Sequence, residues 1–137
     1  MVDPSLRELV SRRASFRCEY CQMPIEYDPL PFQVDHIIAR KHHGQTAEDN
    51  LSLSCFSCNN HKGPNIAGVD PITGEVVSLF HPRHDDWHDH FRWEGAVLVG
   101  RTPTGRATVD VLRINLPYRR AFREALIAEG VFPPPRE

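Results

Sequence analysis

Apolar positions change period several times along the chain. Leu6, Leu9 and Val10 recur at helical spacing behind Asp3-Pro4, an N-cap followed by a first-turn proline, and predict a helix to about Ala14. Phe32 to Ile38 reads as a strand with Val34 and His36 on one face and Asp35 and Ile37 on the other. Arg40 to Asp49 is polar, contains Gly44 and predicts a loop; Leu51-Ser52-Leu53-Ser54 alternates apolar and polar and predicts a second short strand. Cys55 to Lys62 then predicts a short helix, stopped by Gly63-Pro64. Strand, loop, strand and helix make a ββα unit.

Downstream, Asp70-Pro71-Ile72-Thr73-Gly74 is a turn signal and Glu75 to Phe80 a strand. Trp93 to Val99 and Ala107 to Leu112 read as a hairpin joined by Gly100 to Arg106. Asn115 and Pro117 open a helix whose apolar stripe is Tyr118, Phe122, Ala125 and Leu126, with Arg119, Arg120 and Arg123 on a solvated face. The Pro133-Pro134-Pro135 tail is expected to be extended and mobile. The class is α+β, with a core over residues 1–80 and a hairpin-helix extension over 81–137 packed on it.

At 137 residues, 40% hydrophobic and 25% charged, the composition is that of a soluble globular chain. No apolar run reaches membrane-span length and the first residues do not read as a signal peptide, so a cytoplasmic location without membrane contact is expected. That compartment keeps thiols reduced, which favours metal over disulfides for the four cysteines. A net charge of −2 and a pI near 6.4 argue against a pure nucleic-acid binder, but an enzyme needs only a local cationic surface. Arg7, Arg12, Arg13 and Arg17 are candidates for such a surface, although a solvated helix face is the favoured reading of them.

The cysteines fall in two Cys-x-x-Cys pairs, Cys18/Cys21 and Cys55/Cys58, suited to one tetrahedral Zn²⁺. Plain four-cysteine modules separate the pairs by roughly 15–20 residues, and here the insert is far longer. The ion is read as a clamp on the two ends of that insert, contributing on the order of 10–16 kcal/mol of folding free energy.

Inside the insert, Val34-Asp35-His36-Ile37, Asn50-Leu51-Ser52-Leu53-Ser54-Cys55, Cys58-Asn59 and Lys62-Gly63 follow one another in an order that resembles the HNH endonuclease family, in its zinc-containing branch with paired CxxC motifs. The resemblance covers about residues 16–64. It implies a ββα-metal (His-Me finger) core and metal-dependent hydrolysis of phosphodiester bonds in DNA, leaving a 3′-hydroxyl and a 5′-phosphate. By the same resemblance Asp35 and Asn59 bind one divalent ion, His36 is the general base, and Asn50 ties the intervening loop. His61 is a lesser candidate for the last ligand position. A site of one carboxylate and one amide oxygen suits Mg²⁺ or Mn²⁺. Lys62, Arg40 and His61 are candidate nucleic-acid contacts, and a solvated helix-end lysine accounts for Lys62 equally well.

Further along, His81, His84, His88 and His90 lie among Asp85, Asp86 and Asp89 without sharp ligand spacing, so a solvated loop is favoured over a second metal site. For His42 and His43, before Gly44, a solvated loop is favoured over an approach to the substrate backbone. The rival to a nuclease is a non-catalytic zinc ribbon that binds nucleic acid, which would need the cysteines but not Asp35, His36, Asn50 and Asn59. The sequence leaves monomer and homodimer open.

Overall fold

The computed structural model describes residues 2–135. Arg136 and Glu137, the end of the expected mobile tail, lie outside the described residues. The first helix, α1 (Pro4–Arg13), starts as its sequence dictates: the Asp3 carboxylate accepts from the Leu6 N–H at 3.0 Å and Pro4 occupies the first turn. Val10 is fully buried, whereas Leu9 stands 38% exposed. The arginines of this segment are tied down: Arg7 donates to the Phe32 carbonyl, Arg13 to that of Leu51 and Arg17 to that of Gln22. Arg12 pairs with Glu8 one turn back.

Two short strands follow, β1 (Gln33–His36) and β2 (Leu51–Ser54), paired antiparallel with Asp35 opposite Ser52 and His36 opposite Leu51. All four residues of β2 are buried, because α1 covers one face of the ribbon and the cysteine turns pack at its end. Helix α2 (Phe56–Lys62) starts immediately afterwards, capped by the Cys55 sulfur, and ends at Gly63, whose φ of 51° suits only glycine without strain. Between β1 and β2 the chain loops out through 3₁₀ turns at Arg40–His42 and Glu48–Asn50.

The Asp70–Gly74 turn joins β3 (Ala67–Val69) to β4 (Val76–Ser78), so the expected strand is shorter and has a partner that the sequence pattern did not indicate. Asp70 accepts from Ile72 N–H and Thr73 Oγ1, and receives Arg106 Nε and Nη2 at 2.9 and 2.8 Å. The Arg106 guanidinium holds the Asp70 carboxyl well below the usual carboxylate range.

Beyond a short helix α3 (Trp87–His90), the expected hairpin of residues 93–99 with 107–112 is not formed, and a different, tighter hairpin stands in its place. Strands β5 (Phe91–Glu94) and β6 (Val97–Gly100) turn at Gly95-Ala96, and Ala107 to Leu112 is not a strand. That segment lies in and at the end of helix α4 (Pro103–Val111), because Thr102 accepts from Gly105 N–H at 3.0 Å as N-cap and Pro103 sits in the first turn. The last helix, α5 (Pro117–Ala128), also differs from expectation. Arg119 and Arg123 face inward at 6% and 0% exposure, while Tyr118 is 59% exposed. Asn115 does not cap α5; its amide pairs with both backbone groups of Leu98, and its oxygen also accepts a hydrogen bond from Arg123 Nη2.

One hydrophobic core runs from Val10 through Tyr20, Phe32 and Leu53 to Phe91, Leu112, Leu126 and Phe132. Polar bolts fasten the C-terminal elements to the first cysteine turn. Trp87 Nε1 donates to the Tyr20 carbonyl, Trp93 Nε1 to Gln22 Oε1, and Arg83 pairs with Glu19, whose other oxygen accepts from Leu53 N–H. No helix among the described residues is long and apolar enough to cross a membrane.

Candidate functional site

The cysteine turns are built alike. In each, the backbone N–H of the second cysteine donates to the sulfur of the first: Cys21 to Cys18 at 3.5 Å and Cys58 to Cys55 at 3.3 Å. The turns meet beside β2, so that all four sulfurs lie within 4.8 Å of one another and are buried. Cys21 Sγ and Cys55 Sγ are 3.7 Å apart. Thiolates bound tetrahedrally at about 2.3 Å stand about 3.8 Å from each other, so the spacing fits a Zn²⁺-sized ion. Burial pushes the Cys18 thiol up, whereas hydrogen bonds from its neighbours, Cys18 foremost, hold Cys21 down. Arg119 donates to Cys55 Sγ at 3.6 Å and to Asp28 Oδ2 at 3.1 Å, placing a buried cation against the sulfurs. Burial opposes that charge, but the Cys21 and Cys55 sulfurs and Asp28 outweigh it and raise the arginine. Among the described residues no other group of three or more His, Cys, Asp or Glu converges in this way, the His81–His90 loop included.

The second set of residues gathers where β1 ends against α2. Asp35 is on β1, and the Asn59 side chain reaches it from the middle of α2, its amide group 3.2 Å from both carboxylate oxygens. With nitrogen turned toward Asp35 the amide donates to both oxygens. With oxygen turned toward it, the pairing would be satisfied only by a cation between the two side chains, to which both would offer hard oxygen ligands. Adjacent oxygens on an octahedral ion bonded at about 2.0–2.1 Å stand about 2.9 Å apart, so the spacing fits Mg²⁺ or Mn²⁺ completed by water. Burial raises the Asp35 carboxyl, with Lys62 acting against that rise.

His36 is the next residue, and its Nε2 lies 2.8 Å from Thr46 Oγ1 in the loop. Nδ1 is thereby left as the ring nitrogen available to another group. The loop is fixed by Asn50, which is 9% exposed and makes three bonds. Its Oδ1 accepts from Ile38 N–H at 2.9 Å, and its Nδ2 donates to the carbonyls of Ile38 at 3.0 Å and Gln45 at 2.9 Å. Gly44 makes this closure sterically feasible, since a Cβ there would fall 1.7 Å from the Ile38 oxygen. The sequence carries no signal for Thr46, whose position depends on how the loop returns.

The proposed contact residues separate. Arg40 is exposed beside Lys41, His42 and His43, in the first turn of that loop. His61 is partly exposed; its Nδ1–H donates to the Ser57 carbonyl at 2.8 Å, leaving Nε2 unprotonated in the neutral ring. Lys62 is neither a surface contact nor a solvated helix end: at 1% exposure it donates to the Ile37 carbonyl at 3.1 Å and lies 3.8 Å from Asp35 Oδ2. Its position one turn beyond Asn59 on the inward face of α2 carries the ammonium under β1. Burial lowers its basicity, and Asp35 counteracts this.

A small mixed α/β domain with a four-cysteine metal-binding cluster and an Asp-His pair held against a following helix is the setting in which comparisons with known proteins become informative. Residues 18–65 match the family model described as HNH endonuclease, so the chain carries an HNH domain, as its motif order indicated. The chain is also similar to the Septu protein PtuB of Bacillus thuringiensis, 25% identical over 126 residues. The aligned region is 90% of this chain and 46% of that relative, so the chain spans about half its length. No solved structure matches the chain.

Proposed function

We propose that this protein is a metal-dependent endonuclease that hydrolyses phosphodiester bonds in DNA through the Asp35–His36–Asn50–Asn59 site. The observation that carries this reading is the 3.2 Å approach of the Asn59 amide to both Asp35 oxygens, with His36 adjacent in sequence. Together with the β1–β2 ribbon that runs from β2 directly into α2, it supports a ββα-metal arrangement with Asp35 and Asn59 as ligands.

When bound, Mg²⁺ or Mn²⁺ supplies Lewis-acid stabilisation of negative charge on the phosphate and the leaving 3′ oxygen. His36 Nδ1 takes a proton from the attacking water, a role that requires Nε2 to carry the ring hydrogen and donate it to the Thr46 hydroxyl 2.8 Å away. The water oxygen bonds to phosphorus, the P–O3′ bond breaks, and the 3′ oxygen leaves with a proton from solvent. The products are a 3′-hydroxyl and a 5′-phosphate. Asn50 keeps the loop closed so that Thr46 stays in reach of His36. Arg40 and His61 contact the DNA backbone at the edges of the site, and Lys62 positions Asp35 from below. Structural Zn²⁺ on Cys18, Cys21, Cys55 and Cys58 fixes the two ends of the catalytic segment, and the C-terminal elements from residue 81 onward brace it.

Nicking of supercoiled plasmid at low salt, across Mg²⁺, Mn²⁺, Ni²⁺ and Zn²⁺, tests the reading with wild type beside His36→Ala. Metal-dependent nicking by wild type alone supports it. Equal activity of both proteins would rule out His36 as the base, and inactivity of a folded, zinc-loaded wild type would favour the non-catalytic zinc-ribbon alternative.

A further inference from the structure

A cleft of about 300 Å³ opens beside the Asp35 site, and none of the roles assigned above uses it. Ile37 and Ile38, the residues immediately after His36, form one wall; Ile66, Leu79 and Phe80 contribute more apolar lining. Lys62 belongs both to this cleft and to the site, because its ammonium holds the Ile37 carbonyl and faces Asp35. The volume is at the small end of ligand pockets, which run from about 300 to 1,000 Å³. It suits one planar ring system rather than a length of duplex.

The polar lining indicates what kind of ring. His81 and His84 stack with centroids 3.9 Å apart and planes 6° from parallel, and His84 is exposed, so a flat face is on offer at the rim. The rim is pre-formed: Asp85 Oδ2 accepts from His81 N–H, His81 Nδ1 accepts from Arg83 N–H, and the His81 carbonyl takes the N–H groups of His84 and Asp85. The one ammonium in the lining is already engaged with Ile37 and Asp35, and the one carboxylate is Asp85. A phosphate finds no free lysine or arginine there and meets a negative charge. An uncharged heterocycle finds apolar walls, an imidazole face for stacking and an acceptor on Asp85.

We infer that this cleft receives a single unpaired nucleobase of the substrate strand, next to the phosphate being cut. The inference rests on the nuclease reading and adds to it: the enzyme acts on single-stranded DNA or on a duplex from which one base is turned out. Asp85 can accept from ring N–H and amino groups, so a base with donors on its Watson–Crick edge, guanine foremost, is preferred over one without them.

The test is cleavage of single-stranded oligonucleotides in which each base in turn is replaced by an abasic residue, with the whole 137-residue chain and Mg²⁺. One position adjoining the cut is expected to raise KM by roughly 10-fold or more, the usual scale for a lost stacked base. At that position guanine should outperform inosine and adenine, and Asp85→Asn should erase the preference. Ile66→Trp, at a side chain already 41% exposed, fills the cleft and should remove the position effect, with melting temperature and zinc content as folding controls. A protein that cuts normally while tolerating abasic residues at every position would overturn the inference and leave the nuclease reading standing. Absence of metal-dependent cleavage on any substrate would remove both.

Discussion

Replacing Lys62 by Met probes the link between the Asp35 carboxylate, the proposed metal ligand, and the fold beneath it. The ammonium is 3.8 Å from Asp35 Oδ2, a distance at which opposite charges attract by about 4 kcal/mol at an effective dielectric of about 20. Asp35's side chain is 23% exposed, and the water reaching it reduces this to about 2 kcal/mol. The lost charged hydrogen bond to the Ile37 carbonyl, worth about 1.5–3 kcal/mol, is offset by relief from burying an ammonium at 1% exposure. The net expectation in the absence of divalent ions is a loss of about 2 kcal/mol, or roughly 5–10 °C in melting temperature. With saturating Mg²⁺ the ion meets the Asp35 charge instead, and the loss should fall below about 1 kcal/mol. By linkage the variant must then bind Mg²⁺ about 5-fold more tightly or better. Thermal unfolding at matched zinc content, with and without Mg²⁺, measures both quantities. An equal loss in the two conditions would refute the reasoning and reduce Lys62 to a packing and hydrogen-bonding role.

Three other outcomes are expected. Asn50→Ala strands the Ile38 N–H and the Ile38 and Gln45 carbonyls; it should cost about 2–4 kcal/mol, abolish exchange protection of the Ile38 amide, and slow cleavage at saturating metal. Removing the cluster ion with a strong chelator, or mutating Cys58→Ser, should unfold the protein, since the ion's contribution of about 10 kcal/mol or more rivals the whole stability of a small domain; circular dichroism with zinc analysis checks this. Burial raises the Asp35 carboxyl above 3.8, so Mn²⁺ affinity should weaken as pH falls through a midpoint on the alkaline side of that value. In the metal-free protein the same raised value has the opposite effect on folding: stability from protonated Asp35 is present at low pH and lost as pH rises through the folded value. Titrations across acidic pH, with Asp35→Asn as control, read both trends.

The features legible in the sequence were those whose chemistry is local. Two Cys-x-x-Cys turns, an Asp-His pair and a following Asn announce their spacing directly, and the structure brings Asp35 to Asn59 and the four sulfurs to one point. What stayed hidden depended on tertiary context. Thr108, Val109 and Val111 suggested a strand by their β-branched side chains, yet Thr102-Pro103 starts a helix. Thr108 is accommodated there because its hydroxyl donates to Thr104 O and accepts from Phe80 N–H. Arg119, Arg123 and Lys62 looked like solvated cations because periodicity scores charge as exterior. In the fold each answers a buried demand: sulfurs and Asp28 for Arg119, backbone carbonyls for Arg123, and Asp35 with Ile37 for Lys62.

Mn²⁺ binding and single-turnover cleavage, measured on the same preparations of wild type, Asp35→Ala and His36→Ala, test the central claim most directly. The expected result is a split. Asp35→Ala should lose both Mn²⁺ binding and cleavage, whereas His36→Ala should keep Mn²⁺ binding and cut about 10²–10⁴-fold more slowly, the range for removal of a general base. Cleavage by His36→Ala near the wild-type rate, or unchanged Mn²⁺ affinity in Asp35→Ala, would contradict the proposed division of work between metal and base.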